Sequence, residues 1–304
     1  MVGRVALRLS VPPGVLGPLA LTSDGDNAWI AAGGTPRGNL YLVDAAGGRK
    51  LLEVAQVGWA PGGLIDAGSR LWVENTIGDG SRPSSSAQNT VDVVDKTGGR
   101  VDVEVPLPNP GLMVGDAEYA WVVSNNSTLD RIELPGARST LVPDLSQIGD
   151  VVAMAFDSRL WLATRSPTGI GSRLVNVDPT TGGSRNVIDS PDSINAIAAG
   201  GGKTWLLIQD PGGHWFATRL AESTFDARIP LPDNLAASTF VTVGQIGWVA
   251  SNDGLLYRID TGGGSVDRVE ITPALDGVPI AIAGATGGVW VLTPESIYQI
   301  AVPK

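Results

Sequence analysis

Apolar residues in this chain come in short bursts separated by Gly, Asp and Pro, and one burst recurs. It reads Ala28-Trp29-Ile30-Ala31, Leu71-Trp72-Val73-Glu74, Ala120-Trp121-Val122-Val123, Leu160-Trp161-Leu162-Ala163, Thr204-Trp205-Leu206-Leu207, Gly247-Trp248-Val249-Ala250 and Val289-Trp290-Val291-Leu292. Successive tryptophans lie 43, 49, 40, 44, 43 and 42 residues apart. A period of about 40–45 residues, each unit holding several short strands, is the mark of a β-propeller blade. The pattern predicts an all-β fold, a seven-bladed β-propeller of four-stranded blades, forming one domain over residues 1–304.

The second repeat shows how a blade is read. Gly63 to Ala67 is its inner strand, Arg70 to Glu74 the second, Thr90 to Asp95 the third and Arg100 to Pro106 the outer one. The second strand is nearly all apolar, as expected where both faces pack on neighbouring blades. The outer strand alternates, with Val101, Val103 and Val105 on one face and Asp102 and Glu104 on the other. The turn from third to fourth strand repeats as Asp44-Ala45-Ala46-Gly47-Gly48, Asp95-Lys96-Thr97-Gly98-Gly99, Asp178-Pro179-Thr180-Thr181-Gly182-Gly183 and Asp260-Thr261-Gly262-Gly263-Gly264. Its Asp caps the turn and its Gly supplies a positive φ. These aspartates stand one per blade at the periphery, so they are read as turn residues, not as converging metal ligands.

Gly3 to Pro12 matches an outer strand (compare Gly99 to Pro106), while Glu295 to Val302 matches a third strand and then stops. The N-terminal strand is therefore expected to complete the last blade, which removes an open edge. The seven in-register tryptophans are expected to pack between blades.

Composition narrows the function. Forty Gly and 21 Pro suit a protein of many turns. The net charge is −10, with no basic run, which argues against nucleic acid as a partner. The absence of cysteine excludes disulfides and thiolate chemistry. No apolar run approaches the ~18 residues of a membrane helix, so no direct membrane insertion by this segment is expected. The start of the chain, interrupted by Arg8, Pro12 and Pro13, does not read as a signal peptide.

With its Asp-Pro-Thr-Thr-Gly-Gly and Leu-Tyr-Arg-Ile-Asp segments, the chain resembles a broad group of bacterial β-propellers, which includes YVTN-type surface proteins, NHL-repeat domains and streptogramin-lyase-like proteins. The WD40 signature is not matched. The resemblance implies an extracytoplasmic sensor or scaffold domain of a larger membrane-anchored protein, such as a receptor kinase, with a cytoplasmic propeller as the alternative. It also raises the alternative of a lyase-like enzyme using His214, the only histidine, and a divalent cation.

Candidate binding residues come from loops at one mouth of the channel, where propellers place variable connections. The longest is Asn75 to Asn89. Trp59 and Trp215 fall outside the repeat register, in Gly58-Trp59-Ala60-Pro61 and in Gly212-Gly213-His214-Trp215, and are read as loop aromatics for a protein, peptide or carbohydrate ligand. Asn75 of the long loop and His214 beside Trp215 are further binding candidates, and Arg37, Asn125, Asn126, Arg165, Asn252 and Asp253, in second-to-third-strand loops, would complete a polar ring. No nucleophile elbow or multi-histidine zinc site is present, so the reading leans away from catalysis, with no cofactor, metal ligand or catalytic residue assigned.

Overall fold

A computed structural model describes residues 2–302 apart from 16, 35–36, 46–48, 77–88, 125–127, 135–137, 142–148, 157–158, 167–169, 179–180, 182, 201–202, 222–223, 234–236 and 252. The described residues form strands and turns, without a helix. The first sheet holds β2 (Pro18–Ser23), β3 (Ala28–Ala32), β4 (Gly38–Asp44) and β5 (Lys50–Val57). The second holds β6 (Pro61–Ala67), β7 (Arg70–Asn75), β8 (Thr90–Asp95) and β9 (Arg100–Pro106). The third runs from β10 (Pro110–Gly115) through β11 (Tyr119–Ser124) and β12 (Thr128–Glu133) to β13 (Arg138–Leu141). The fourth contains β14 (Val151–Phe156), β15 (Leu160–Arg165), β16 (Ser172–Val177) and β17 (Ser184–Ser190). The fifth contains β18 (Ser193–Gly200), β19 (Lys203–Gln209), β20 (Trp215–Ala221) and β21 (Thr224–Pro230).

The remaining strands form one continuous sheet. β22 (Ala237–Val243), β23 (Ile246–Ser251), β24 (Leu256–Asp260) and β25 (Ser265–Thr272) are followed in it by β1 (Val2–Ser10), β28 (Ser296–Ala301), β27 (Gly288–Leu292) and β26 (Ala281–Ala285). β1 is antiparallel to β28, from Arg4 opposite Ala301 to Ser10 opposite Ser296. It also meets β25 in parallel, Val2 to Arg4 against Glu270 to Thr272.

Packing explains the recurring tryptophan. Each second strand is apolar along nearly its whole length because both its faces are covered; all five positions of β3 are buried. Trp29 packs with Leu71 and Val73 of the second sheet, and Trp72 with Ala120 and Val122 of the third. Trp121 lies against Leu160 and Leu162, Trp161 against Leu206 and Ile208, and Trp205 against Val249. Trp248 meets Val289 and Val291, and Trp290 meets Ala28 and Ile30 of the first sheet. Each of these seven tryptophans therefore fills a seam between one set of four strands and the next, including last against first. Each such burial is worth about 2–3 kcal/mol. The inner strands β2, β6, β10, β14, β18, β22 and β26 also lie side by side in that order, and β26 lies against β2.

The turn reading holds in its hydrogen bonds. Asp95 accepts from the amides of Thr97 and Gly98 at 3.0 and 3.1 Å. Asp260 accepts from those of Gly262 and Gly263 at 2.8 and 2.9 Å. These amide bonds hold the Asp260 carboxyl below the usual carboxylate range. Gly99 and Gly264 close their turns at φ 59° and 74°, where a side chain would be strained.

Candidate functional site

Strand direction sorts the connections into two ends. Turns from first to second and from third to fourth strand lie at one end. Connections from second to third strand, and from the outer strand to the next inner one, lie at the other. The inner strands surround a cavity of about 450 Å³ near the first end, walled by Leu21, Leu64, Met113, Met154, Phe240 and Ile282 among others. Among the described residues no titratable side chain lines it.

The loop-bearing end is different in character. Leu112, Ile170, Val278 and Ile280 are large apolar side chains exposed there, Ile170 to 71 %. Part of this comes from an irregularity at the start of the inner strands. The pairing register shifts within the first residues of β2, β6, β10, β14, β18 and β22. A bulge of this kind turns a residue out of the ladder. Gly62, Leu112 and Asn195 fall at those shifts and are exposed. Among the described residues of the surrounding connections and strand ends, Asp150, Asp210, Asp233, Asp253 and Glu295 outnumber Arg37 and Arg165.

The residues expected to form a polar ring have varied fates. Asn125, Asn126 and Asn252, with positions 77–88 of the long loop, lie outside the described residues. Arg37 is exposed but leans toward Glu104 of β9 at 3.8 Å, over a groove between the outer strands of the first two sheets. Arg165 ends β15 and is exposed. Asp253 accepts a hydrogen bond from the hydroxyl of Ser251. Trp59 is half-buried in the connection from β5 to β6, where its carbonyl accepts from the Gly34 amide at 3.2 Å.

Two expectations are corrected. Trp215 is not a loop residue: it opens β20 opposite Gln209 and is only 8 % exposed, packed with Trp205, Leu207 and Leu231. The Gly212-Gly213 pair makes a tight turn, and pairing resumes at once. Asn75 is also enclosed, at 3 % exposure. Its side-chain amide donates to Thr90 Oγ1 at 3.2 Å and so braces β7 against β8. Neither side chain is presented to a ligand at the surface.

His214 stays outside. Its ring is exposed and its Nδ1 lies 2.8 Å from Asp233 Oδ1, while its backbone amide donates to Asp210 Oδ1 at 2.9 Å. The Asp233 hydrogen bond, with that carboxylate's charge, raises the imidazole pKa above its ordinary value. No group of three metal-ligating side chains occurs among the described residues.

Of the polar groups that sequence reasoning missed, Glu74 and Asp92 are buried and Asp276 is half-buried. Glu74 stands in β7 at 3 % exposure, and its Oε1 has no hydrogen-bond partner among the described residues. Burial pushes its carboxyl up to about 8, against a smaller downward effect from the Gly62 backbone amide. On the other face of the same sheet Asp92 accepts from Thr90 Oγ1 at 2.8 Å and from the Gly58 amide at 3.1 Å. Burial raises its carboxyl as well. Asp276, before β26, accepts from Thr293 Oγ1 at 2.7 Å and Arg8 at 2.8 Å, and also from the Ser296 hydroxyl. Its backbone amide donates to Tyr298 OH at 3.0 Å. One signal for Glu74 was present in the sequence: an acid inside an otherwise apolar second strand, opposite the Gly62-Gly63 pair of the inner strand.

No protein-family model matches the chain, and no curated protein is similar to it in sequence. Solved structures do match. The chain is similar to the β-propeller domain of Cps50 (Swd1) from Myceliophteria thermophila, at 13% identity and a TM-score of 0.74, covering 99% of this chain and 100% of that one. It is similar to a chain of the mitotic checkpoint complex at 13% identity and TM-score 0.73, over 99% and 92% of the two chains. It is similar to YCF48 bound to D1 peptide at 12% identity and TM-score 0.66, over 97% and 95%. The chain has the fold of a β-propeller.

Proposed function

We propose that this is a seven-bladed β-propeller, its last blade completed by β1, and that it binds a protein or peptide at the loop-bearing mouth without catalysing a reaction. The observation that carries this reading is the exposure of Leu112, Ile170, Val278 and Ile280 at that one end, against Val2 and Val243 at the other. Exposed large apolar side chains gathered on one surface mark an interaction site. The cavity at the other end offers no titratable group for chemistry. A peptide-bound structure among the fold's neighbours, YCF48 with D1 peptide, supports the same reading by analogy of fold alone.

Trp59 remains a contact candidate beside these apolar residues; Trp215 and Asn75 do not. The resemblance to surface and sensor propellers supports an extracytoplasmic setting within a membrane-anchored protein. The lyase-like alternative would use His214, but that ring is directed to Asp233 alone among the described carboxylates within ion-pair distance.

The test is comparative capture with three immobilised forms: wild type, a mouth double variant (Leu112→Asp with Ile280→Asp), and Val243→Asp at the opposite end. Wild type and Val243→Asp are expected to retain the same partner, and the mouth variant to lose it. Retention by the mouth variant would remove the basis of the reading.

A further inference from the structure

Beneath the mouth lies a carboxyl with an oxygen that nothing among the described residues satisfies. Glu74 Oε1 is enclosed and lacks a hydrogen-bond partner among the described residues. A native fold rarely leaves a buried polar atom in that state without a reason. The wall over it is unusually thin. β6 begins Pro61-Gly62-Gly63, and Gly62 is exposed. A Cβ built on Gly62 would stand 2.6 Å from Glu74 Oε2, and one on Gly63 would stand 3.2 Å from the Glu74 Cβ. The two glycines therefore leave the carboxyl room directly behind the exposed backbone of an inner strand.

No cation among the described residues answers this acid. Asp92 is on the opposite face of the sheet, since Val91, not Asp92, is the cross-strand partner of Glu74. Asp66, toward the other end of β6, is paired with Lys96 at 2.5 Å. β10, which packs on β6 and β7 from the next set of strands, carries no titratable residue. Outside, the described mouth loops add acidic residues and few basic ones.

We infer that the mouth receives a basic peptide segment of a protein partner, with one lysine or arginine side chain set over Gly62 and Gly63 to pair with Glu74. This rests on the mouth-binding reading above and names the chemistry of its partner. The apolar side chains Leu112 and Ile280 hold the aliphatic parts of the segment. The incoming cation takes the place of a proton: Glu74 gives up its O–H proton to solvent and becomes the carboxylate of an ion pair. The raised pKa of the isolated carboxyl agrees with a site that lacks its counter-charge.

The probe is a synthetic peptide of alternating leucine and lysine, titrated calorimetrically at pH 7 in two buffers of different ionisation enthalpy. Binding is expected to release about one proton per peptide, because a carboxyl titrating near 8 is still mostly protonated at pH 7. Glu74→Gln is expected to bind about tenfold more weakly and to release none, as befits loss of a charge-assisted hydrogen bond. The same peptide with glutamate in place of lysine is expected not to bind. A readout free of any variant is the carbon-13 shift of the Glu74 carboxyl in the wild-type protein, whose titration should move downward when the leucine–lysine peptide is added. Binding without proton release, or with equal affinity for Glu74→Gln, would overturn the role of Glu74 and leave mouth docking standing. Failure of the leucine–lysine peptide to bind at all would overturn the basic-partner inference, while the three-form capture experiment still judges the mouth itself.

Discussion

Replacing Glu74 by Gln should make the folded protein more stable at neutral pH, and the size of the gain follows from the burial of this carboxyl. In the unfolded chain Glu74 titrates near 4.5, and in the fold at about 8. Its folded value is raised because burial penalises the charged form. Below pH 4.5 both states are protonated and the group costs nothing differential. As pH rises past 4.5 the unfolded state loses its proton first, so stability falls steadily until the folded group ionises near 8. At 1.36 kcal/mol per unit, the loss at pH 7 is about 3 kcal/mol, and it levels off at about 5 kcal/mol. For a chain of 304 residues, 3 kcal/mol corresponds to a Tm shift of about 5 °C. Glutamine keeps the shape and cannot ionise. The assay is thermal or urea unfolding of both proteins at intervals from pH 4.5 to 8.5. The wild-type curve should decline relative to the variant across this range. Parallel curves would refute the argument, because they would mean that Glu74 is ionised in the fold at neutral pH.

Other outcomes follow from the packing and the ends of the chain. Trp290→Ala should cost about 3–5 kcal/mol in urea unfolding, since Trp290 fills the seam between the last and first strand sets and its removal leaves a cavity there. Asp276→Asn should cost about 1–3 kcal/mol at pH 7, by removing the charged acceptor shared by Thr293, Ser296 and Arg8. Burial alone would raise the Asp276 carboxyl, but its hydrogen bonds from Ser296, Thr293, Tyr298 and Arg8 outweigh that and hold it below its ordinary value. The stabilisation is therefore present above about pH 4 and is lost as pH falls through the depressed value, so wild type and Asp276→Asn should converge in acid unfolding. Deleting residues 1–12 should lower Tm by more than either substitution and promote aggregation visible by light scattering, because it exposes the edge of β28.

The sequence carried the frame of the fold because that frame repeats. Two covered faces force each second strand to be apolar, and the widest gap between strand sets calls for a tryptophan at one register. The strands expected in the second repeat lie within two residues of those observed, at Pro61–Ala67, Arg70–Asn75, Thr90–Asp95 and Arg100–Pro106. The site was much less legible, since its signals are local departures from the repeat. Trp215 follows two glycines and a histidine and so resembles a loop, yet the hairpin closes one residue earlier than that composition suggests. Asn75 has turn-like chemistry but falls inside its strand, where Thr90 occupies it. Leu112 and Ile280 are ordinary apolar residues in sequence; the irregular start of β10 leaves Leu112 uncovered, and Ile280 stands exposed just before β26. Asp276 gathers partners from both termini of the chain, a relation that no local window contains.

The short parallel contact between β1 and β25 makes one joint between strand sets unlike the rest. Elsewhere, among the described residues, neighbouring sheets share no strand ladder and meet chiefly through side chains, with a single backbone bond from the Thr286 amide to Gly25 at 2.9 Å where the last sheet meets the first. Between β25 and β28 the chain's first residues are hydrogen-bonded to both sides, and Gly3 is wedged so closely that a Cβ there would stand 2.7 Å from Val269 and 3.0 Å from Ile300. This joint is welded while the others are dry-fitted. Spontaneous opening between strand sets should therefore begin at a side-chain seam, and the amides of β1 and β28 should be among the last to exchange with solvent.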